Sequence, residues 1–380
     1  MTPPLVSLCV PTRNRATSLA RGLVSTCGQD YESLEILISD NASDDDTERV
    51  CREAVRQDAR IRYVRHPRNI GSHGTHNFCI DESRGDYLCF FHDHDERDLS
   101  IVSRYVSFMQ AHPDVGVVCS DWHLLDPEGR RIGVRDYRVS AVMPGVDFIS
   151  HTFASGRSSI GIPGAMIRRS ALGDIRFDEE APIGFGDFII WFQIAERHAI
   201  GHIHERLWGW TQEQRSDSAR TIESLTEDYR ENMTRYCDMH LARWPEHAAL
   251  VERWRQSVPR YLFWALMFGV GLHFRRQEPA AGEESADRTL FEILDYRLTD
   301  QQLERVFDKL KTYRTGAFQH VAHAMVRALI HCGLTQPFTW AVGHQSSLRS
   351  LVLPRPAGTR RRMRVRPRGR DRLDGPAPGH

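Results

Sequence analysis

Several features that identify common protein classes are missing from this sequence. The 380-residue chain has 8 cysteines but no Cys-x-x-Cys pair, which disfavours a zinc ribbon or a thioredoxin-like site. It has neither a Gly-x-Gly-x-x-Gly motif nor a P-loop motif, so the familiar glycine-rich nucleotide loops are absent. The N-terminus shows no basic stretch followed by a long apolar run, so we expect no secretory signal. Together these absences favour a cytoplasmic protein with reduced thiols.

The chain also lacks a net charge. Lys+Arg and Asp+Glu both number 50. The stretch after Pro354 is dense in Arg, so the rest of the chain is net acidic. This balance argues against a general nucleic-acid-binding protein. Because the stretch after Pro354 is composed mainly of Arg, Pro and Gly, we expect it to be a disordered tail.

A strongly apolar segment, Tyr261–Phe274, is too short to cross a membrane. It has about 14 residues, whereas a transmembrane helix needs ~20. One interpretation is a buried helix of a C-terminal region. The other is a helix at a membrane surface or a subunit interface, since Arg260, Arg275 and Arg276 flank the segment.

The first third of the chain alternates strand-like and helix-like patterns. This alternation predicts βαβ units in a Rossmann-like, mostly parallel sheet flanked by helices. From about residue 222 to residue 335 the pattern is helical almost throughout. We therefore expect an α/β domain over residues 1–220, a mainly α-helical region over 221–353 and the tail over 354–380.

Two carboxylates follow the apolar run Tyr87–Phe91. Asp93 and Asp95 are two residues apart, so on an extended segment both point to the same side. They would repel each other unless a cation lay between them, and Mg²⁺ or Mn²⁺ suits such oxygen ligands. The alternative is a solvated acidic turn. His94 is expected to fill space and point away, and a role as a third ligand is the alternative.

Other predicted strands also end in polar residues. Thr12 and Asn14 follow the first strand, and Asp40 and Asn41 follow the second. Ligands of open α/β sheets bind beyond the carboxyl ends of the strands. We therefore expect these residues to share one site with Asp93 and Asp95.

An ordered set of motifs resembles the family 2 glycosyltransferases, which have the GT-A fold. The matching stretches are VSLCVPTRNRATSLARGLVS, EILISDNASDDDT, RNIGSHGTHNFCIDESRGDYLCFFHDHD, GIPGAMIRRSAL and GFGDFIIWFQIAERHAIGHIHERLWGW. They cover roughly residues 5 to 215. The resemblance implies transfer of a sugar, with inversion, from a nucleotide-diphosphate sugar to an acceptor hydroxyl. It implies a divalent metal ion, Mn²⁺ or Mg²⁺, and a role in the biosynthesis of surface polysaccharides, glycolipids or other glycoconjugates.

The same resemblance implies roles for individual residues. Asp95 would coordinate the metal, with Asp93 as a metal or ribose contact. Asp187 matches the general base, and a helix N-cap is the alternative, compatible role. Arg168 and Arg169 match a basic pair before the acceptor loop. The nucleotide sugar would be bound by Pro11, Thr12, Asn14, Arg15, Asp40, Asn69, Gly71, Asn77 and Asp93.

One departure from the family pattern concerns the loop after the last strand. The family often has a His there that helps to hold the metal or the diphosphate. This chain has Gln212, Gln214 and Arg215 instead. Arg215 would contact the diphosphate directly, because a guanidinium is a good phosphate partner. The metal requirement is therefore left open.

Two alternative functions remain. A nucleotidyltransferase would need a loop with Gly and Lys after the first strand, and PTRNRATS has neither. A non-catalytic protein that binds sugar nucleotides is the other. The expected partners are the donor and a saccharide, lipid-linked or other hydroxyl acceptor, but no nucleic acid. The apolar segment and the Arg-rich tail motivate a peripheral contact with the inner face of the membrane, and a homo-oligomer stays open.

Overall fold

The computed structural model describes residues 2–156, 158–211, 222–275 and 300–313. The strands within these residues are β1 (Val6–Thr12), β2 (Leu34–Asp40), β3 (Ile61–Arg65), β4 (Tyr87–Phe90), β5 (Glu96–Arg97), β6 (Val115–Leu125), β7 (Arg131–Arg135), β8 (Val142–Met143), β9 (Ala165–Arg168) and β10 (Ala199–Thr211). The helices are α1 (Ala16–Cys27), α2 (Thr47–Gln57), α3 (Gly71–Glu82), α4 (Ile101–Ala111), α5 (Gly145–Ser155), α6 (Arg169–Leu172), α7 (Gly186–Ala195), α8 (Ile222–Arg243), α9 (Ala248–Arg275) and α10 (Asp300–Thr312).

The strands form one sheet in the order β3-β2-β1-β4-β9-β6-β10-β5, with β7 paired to β6 and β8 to β10. The prediction of parallel pairing holds for β3, β2, β1 and β4, and for β6 beside β10. Between these two groups β9 is antiparallel to both of its neighbours. Its direction is reversed because the chain enters β9 from the carboxyl edge. Gly164, just before β9, packs on Trp208 near the end of β10.

The first strands form because their apolar runs can be buried on both faces of the sheet. In β1, Val6, Leu8 and Val10 face the layer that contains α1, α2 and α4. Cys9 faces the opposite layer, which contains α3, α5 and α7. A strand covered on both faces reads as a nearly continuous apolar run. This arrangement leaves the carboxyl ends of β1, β2 and β4 along one open edge.

The C-terminal helices α8 and α9 pack on the layer formed by α5 and α7. The ring of Phe192 lies 4.8 Å from that of Tyr236 on α8. Phe153 on α5 stacks on Trp254 of α9 with the ring centroids 5.3 Å apart. The helical character predicted after residue 221 is therefore present in α8, α9 and α10. The predicted boundaries at 220 and 353 stay predictions, and the predicted tail, 354–380, lies outside the described residues.

The apolar segment Tyr261–Phe274 belongs to α9. Leu262, Phe263 and Leu266 are fully buried against the helical layer, which agrees with the first interpretation for this part of the segment. Across the described ranges, no helix combines the length and the apolar character that crossing a bilayer requires.

Candidate functional site at the carboxyl edge of the sheet

Residues from the ends of β1 and β4 meet at the open edge. Thr12 donates a hydrogen bond from Oγ1 to Oδ2 of Asp93 at 2.6 Å, and both side chains are buried. Nε of Arg15 lies 3.8 Å from Oδ1 of the same carboxylate. The structure thus brings together three residues that the sequence analysis assigned to one site. They form the polar floor of this edge.

Asp95 is fully buried beside this floor. Its Oδ1 accepts a hydrogen bond of 2.9 Å from the backbone N–H of Thr211, at the end of β10. Its Oδ2 has no hydrogen-bond partner among the described residues, and Nη2 of Arg97 is 3.8 Å away. A buried carboxylate oxygen without a hydrogen bond is costly. A bound cation would satisfy it.

His94 lies between the two carboxylates, so the expectation that it points away is wrong. Its Nδ1 is 2.9 Å from Oδ1 of Asp93, and its Nε2 is 3.8 Å from Oδ1 of Asp95. Burial opposes the charged ring, but the carboxylates of Asp95 and Asp93 prevail and raise the pKa of His94. Without a metal ion, a protonated His94 would relieve the repulsion between the two carboxylates, whereas metal binding would require the neutral ring. Asp93 and His94 lie in a turn after β4 rather than on an extended segment, and in this turn the ring contacts both carboxylates.

His92 adds a second imidazole to this group. Its Nε2 is buried and has no hydrogen-bond partner among the described residues. Burial, together with the nearby His76 and His94, holds the pKa of His92 well below its usual value, so the ring is neutral. Ligand atoms of His92, His94 and Asp95 all lie within 4.8 Å of one another. Two imidazoles and a carboxylate fit a divalent transition-metal ion, and fit Mn²⁺ better than Mg²⁺.

Arg97 stabilises the turn that carries these residues. Its Nη1 donates to the backbone oxygens of Asp95 at 2.7 Å and His92 at 3.0 Å. Its guanidinium lies over the ring of Phe91, 4.5 Å from the centroid. The sequence analysis overlooked Arg97 and His92. The signals were present in the motif: a cation directly after an acidic cluster, and two histidines in alternation with the two aspartates.

Asp40 ends β2 as predicted and is fully buried. Its Oδ2 accepts a hydrogen bond of 2.8 Å from the hydroxyl of Tyr63, and its Oδ1 accepts one of 2.9 Å from Ser43 N. Both oxygens therefore have protein donors already. The predicted contact of Asp40 with a base stays a prediction.

Three further predicted residues shape the loops around this edge. Asn69 Oδ1 accepts hydrogen bonds from Asn41 Nδ2 at 2.8 Å and Gly71 N at 2.9 Å. Gly71 has a φ of +80°, which favours glycine. Asn14 has a φ of +53°, and its Oδ1 accepts from Asp44 N at 2.8 Å. Pro11 pairs with Ser39 in the β1–β2 ladder.

Three predicted positions make contacts elsewhere, and Arg215 is outside the described residues. Asn77 donates to Phe177 O at 2.9 Å and accepts from Phe177 N at 2.8 Å, so it fastens that segment to α3. Arg168 pairs with Tyr87 at the amino end of β4, away from the carboxyl edge. Arg169 follows it and donates to Ser83 Oγ at 2.6 Å. Arg215, with Gln212 and Gln214, lies outside the described residues.

Asp187 lies in the first turn of α7. The N-cap position is Phe185 rather than Asp187, so the alternative N-cap role is wrong. Trp191 Nε1 donates to Asp187 Oδ2 at 3.1 Å. The carboxyl keeps some contact with solvent, but its aromatic surroundings desolvate it. This burial raises the pKa of Asp187 to about 6.

A row of histidines connects the Asp187 turn with the carboxylates. A Cβ added to Gly186 would lie 2.8 Å from Nε2 of His73 on α3. One turn further along α3, the ring of His76 is 5.7 Å from that of His92. The ring of His92 is in turn 5.9 Å from that of His94. The start of α7 and the turn that follows β4 therefore both lie beside α3.

Comparison with known proteins identifies the N-terminal region. Residues 7–175 match the family described as Glycosyl transferase family 2. A Campylobacter jejuni GalNAc(5)-diNAcBac-PP-undecaprenol beta-1,3-glucosyltransferase is 36% identical over 94 residues, which are 24% of this chain and 30% of the relative. A putative Bacillus subtilis glycosyltransferase, EpsE, is 28% identical over 145 residues, which are 37% and 50% of the two chains. The chain thus spans half or less of the length of these relatives.

Solved structures resemble the whole described fold. S. aureus TarS 1-349 in complex with UDP has a TM-score of 0.52 at 18% identity, covering 72% of this chain and 75% of that one. The mannosyltransferase PcManGT from Pyrobaculum calidifontis, in complex with GDP-Man and Mn²⁺, has a TM-score of 0.52 at 15% identity and covers 92% and 87%. At these identities the likeness shows the fold alone, a mixed GT-A sheet flanked by helices.

Proposed function

Because this chain belongs to glycosyl transferase family 2 through residues 7–175, we propose that it transfers a sugar from a nucleotide-diphosphate donor to an acceptor hydroxyl. The observation that carries the proposal is the buried Asp95 Oδ2, which has no hydrogen-bond partner among the described residues and lies at the carboxyl edge of the sheet. Thr12, Arg15 and Asp93 provide polar groups beside it. An edge of this kind is where open α/β sheets bind ligands.

The donor would lie along the ends of β1, β2 and β4. In this proposal Asp40 and the loop held by Asn69 and Gly71 border the base and ribose, and Asp93 contacts the ribose. Arg15 points a guanidinium at the Asp93 carboxylate and retains some exposure, so it is placed to approach a diphosphate. Arg215 would add a second positive charge to the leaving group.

A divalent metal ion fits the group formed by His92, His94 and Asp95. When bound, such an ion would stabilise the negative charge that grows on the departing diphosphate. Neighbouring residues fix the positions of these candidate ligands. Arg97 holds the backbone of the turn, and Thr211 N orients Asp95 through Oδ1. The imidazoles favour Mn²⁺ over Mg²⁺ in this proposal.

Asp187 is the proposed general base. Its raised pKa of about 6 leaves it mostly ionised at neutral pH yet basic enough to accept a proton. Trp191 orients the carboxyl through Oδ2. Asp187 takes the proton of the acceptor hydroxyl while that oxygen bonds to the anomeric carbon. The bond from that carbon to the diphosphate breaks, the nucleoside diphosphate leaves, and a single displacement inverts the configuration.

A lipid-linked acceptor is a natural extension of the proposal. The Campylobacter relative is named for a substrate linked to undecaprenol, and the Arg-rich stretch after Pro354 would be attracted to anionic lipid. We therefore place the enzyme at the cytoplasmic face of a membrane, acting in surface polysaccharide or glycolipid synthesis. Flotation of the full chain with anionic liposomes tests this placement. An absence of co-flotation, unchanged by deletion of residues 355–380, contradicts it.

A thermal-shift panel of nucleoside diphosphates and nucleotide sugars tests donor binding. One nucleotide should raise the melting temperature, and Mn²⁺ should increase the shift, because a ligand that binds only the folded state stabilises it. Asp95→Asn should lose the increase due to Mn²⁺, whereas Glu96→Gln at the exposed neighbouring position should keep it. Indifference of the wild type to every nucleotide would overturn the proposal.

Substitution of the base separates catalysis from binding. Asp187→Asn should keep the nucleotide-induced shift but lose about 10²–10⁴-fold in turnover. Turnover is measured as nucleoside diphosphate release with a panel of saccharide and lipid-linked acceptors. Wild-type binding without any release on the whole panel would favour the alternative of a non-catalytic sugar-nucleotide-binding protein.

A further inference from the structure

A second group of side chains with metal-binding atoms lies in the middle of β6 and β10, apart from the strand ends. It consists of Asp121 on β6 and His202 and His204 on β10, and their ligand atoms lie within 4.8 Å of one another. Asp121 and His202 are buried, whereas the side chain of His204 is 46% exposed. The group therefore has two rigid members inside the protein and one member at the surface.

The carboxylate of Asp121 presents one oxygen to each imidazole. Its Oδ1 is 2.8 Å from Nε2 of His202, and its Oδ2 is 3.9 Å from Nδ1 of His204. Two nitrogen ligands and one carboxylate oxygen form a common set for Zn²⁺, which keeps a further position for water or substrate in open sites. The exposed His204 marks the side from which an ion can enter.

Neighbouring groups fix the orientation of the two buried members. Sγ of Cys119 lies 3.2 Å from Nδ1 of His202, the ring nitrogen that faces away from Asp121. The backbone N–H of Tyr137 donates to Asp121 Oδ1 at 2.8 Å, and the Tyr137 ring meets the His202 ring edge-on at 5.5 Å. Metal-binding histidines commonly have a partner of this kind on the second nitrogen, which sets the ring orientation.

An irregularity in β10 places His204 in the group. The pairing register between β10 and β6 shifts between Ile203 and Arg206, and again between Arg206 and Trp208. A bulge of this type re-aims side chains and is frequent beside functional sites. Next to this irregularity, His202 and His204 approach the two oxygens of the Asp121 carboxylate. The sequence signal is the His-x-His pair in GHIHERLW.

We propose that Asp121, His202 and His204 form a binding site for Zn²⁺ or a similar transition-metal ion. The ion would link the bulge of β10 to β6, with Nε2 of His202 and the Asp121 carboxylate as buried ligands. The exposed His204 turns inward to close the group, because zinc ligands lie at about 2.0–2.2 Å from the ion. The site is separate from the His92–His94–Asp95 group and does not depend on the proposed transfer reaction.

Zinc titration of the chelator-treated full chain tests the site. The titration is read by competition with a chromogenic chelator and is done in the Asp95→Asn background, which weakens the other candidate group. We expect one equivalent of Zn²⁺ to bind. His204→Gln should lower the affinity at least about tenfold, as loss of even an indirect metal partner commonly does. Glu205→Gln is the matched control, since it alters the exposed neighbour that pairs with Arg104, and it should bind as before.

Two further readouts separate a ligand from a structural histidine. Co²⁺ bound to the Asp95→Asn chain should give visible absorption bands that change in His204→Gln but not in Glu205→Gln. Zn²⁺ should raise the melting temperature of the Asp95→Asn chain and of Glu205→Gln more than that of His204→Gln. Equal zinc affinity of the two variants, or no stoichiometric binding, would overturn the proposal and leave Asp121 and His202 as a buried hydrogen-bonded pair.

Discussion

At the scale of single residues, Asp187 shows how an apolar environment raises the pKa of a carboxyl group. Phe185 and Phe188 flank it in sequence, and their rings are in edge-on contact with each other. Trp191 supplies a single hydrogen bond. Desolvation outweighs that hydrogen bond, which is why the pKa rises to about 6. Two measurable consequences follow from this one value.

The first consequence is the pH dependence of catalysis. If Asp187 is the base, kcat/KM should fall tenfold per pH unit below about pH 6, where the carboxyl is protonated, and level off above it. The profile is measured at saturating Mn²⁺ with a fixed acceptor. The residual kcat/KM of Asp187→Asn should not show this fall at low pH. A kcat/KM that is constant from pH 5 to pH 8 would mean that a residue other than Asp187 is the base.

The second consequence is a change in stability with pH. The folded-state pKa of about 6 lies above the ordinary value of 3.8. The contribution of Asp187 to stability is therefore full below pH 3.8 and is lost as pH rises through about 6. The free energy of unfolding of Asp187→Asn minus that of the wild type should therefore be larger at pH 8 than at pH 4. Urea unfolding at the two pH values measures this difference, and an equal difference at both would contradict the raised pKa.

Gly22 is needed where α1 approaches the Asp93 turn. A Cβ at this position would lie 2.7 Å from the backbone oxygen of Asp93, too close for any real contact. Gly22→Ala should reduce the free energy of unfolding by about 1–3 kcal/mol and weaken nucleotide binding, because the turn has to move. Val24→Ala, at a 75% exposed position of the same helix, is the control. Nucleotide affinity unchanged in Gly22→Ala would show that the turn does not contact the donor.

At the scale of elements, α8 holds the loop that precedes the proposed base. Asn232 Nδ2 donates to Pro182 O at 3.0 Å and to Gly184 O at 2.8 Å. Asp228 Oδ2 accepts from Gly184 N at 3.1 Å. This loop leads into Phe185, whose φ of +63° is unusual for a bulky residue. A C-terminal helix therefore positions the start of α7.

Removal of this support should affect turnover more than donor binding. Asn232→Ala leaves two partly buried carbonyl groups without this donor, which should cost about 1–3 kcal/mol of stability. It should also lower kcat, while the nucleotide-induced thermal shift stays close to that of wild type. Glu231→Ala, at the exposed neighbouring position, should change neither quantity. Equal losses in kcat and in donor affinity would mean that the loop also contacts the donor.

At the scale of the whole molecule, the α/β part and the helical part share one core. The ring pairs Phe185–Tyr229, Phe192–Tyr236 and Phe153–Trp254 all join helices on the two sides of residue 220. Each of these large side chains is buried. The helices after residue 221 thus cover an apolar surface of the α/β part.

A fragment that ends at residue 220 should not fold as well as the complete chain. It would expose Phe153, Phe185 and Phe192, each worth about 1.5–3 kcal/mol when buried. We expect a broad, low thermal transition and binding of a hydrophobic dye. A chain that ends at residue 353 should keep a sharp transition and nucleotide binding. A cooperative transition of the 220-residue fragment, equal to that of the full chain, would establish an independent domain.

Local patterns in the sequence were sufficient to predict the alternating strands and helices. They were also sufficient to predict which residues follow each strand. Parallel βαβ units bring the carboxyl ends of strands to one edge. The meeting of Thr12 with Asp93 could therefore be anticipated from two separate motifs. The family resemblance of residues 5 to 215 rested on the same local motifs.

Only the tertiary structure determined which groups complete the sites. Thr211 N reaches Asp95 from 116 positions away along the chain, and His202 reaches Asp121 across 81 positions. Such contacts depend on strand order, on the reversed direction of β9 and on the bulge in β10. No local periodicity encodes these features. The inward orientation of His94 likewise follows from the turn at residues 93–94, whereas the motif was interpreted as an extended segment.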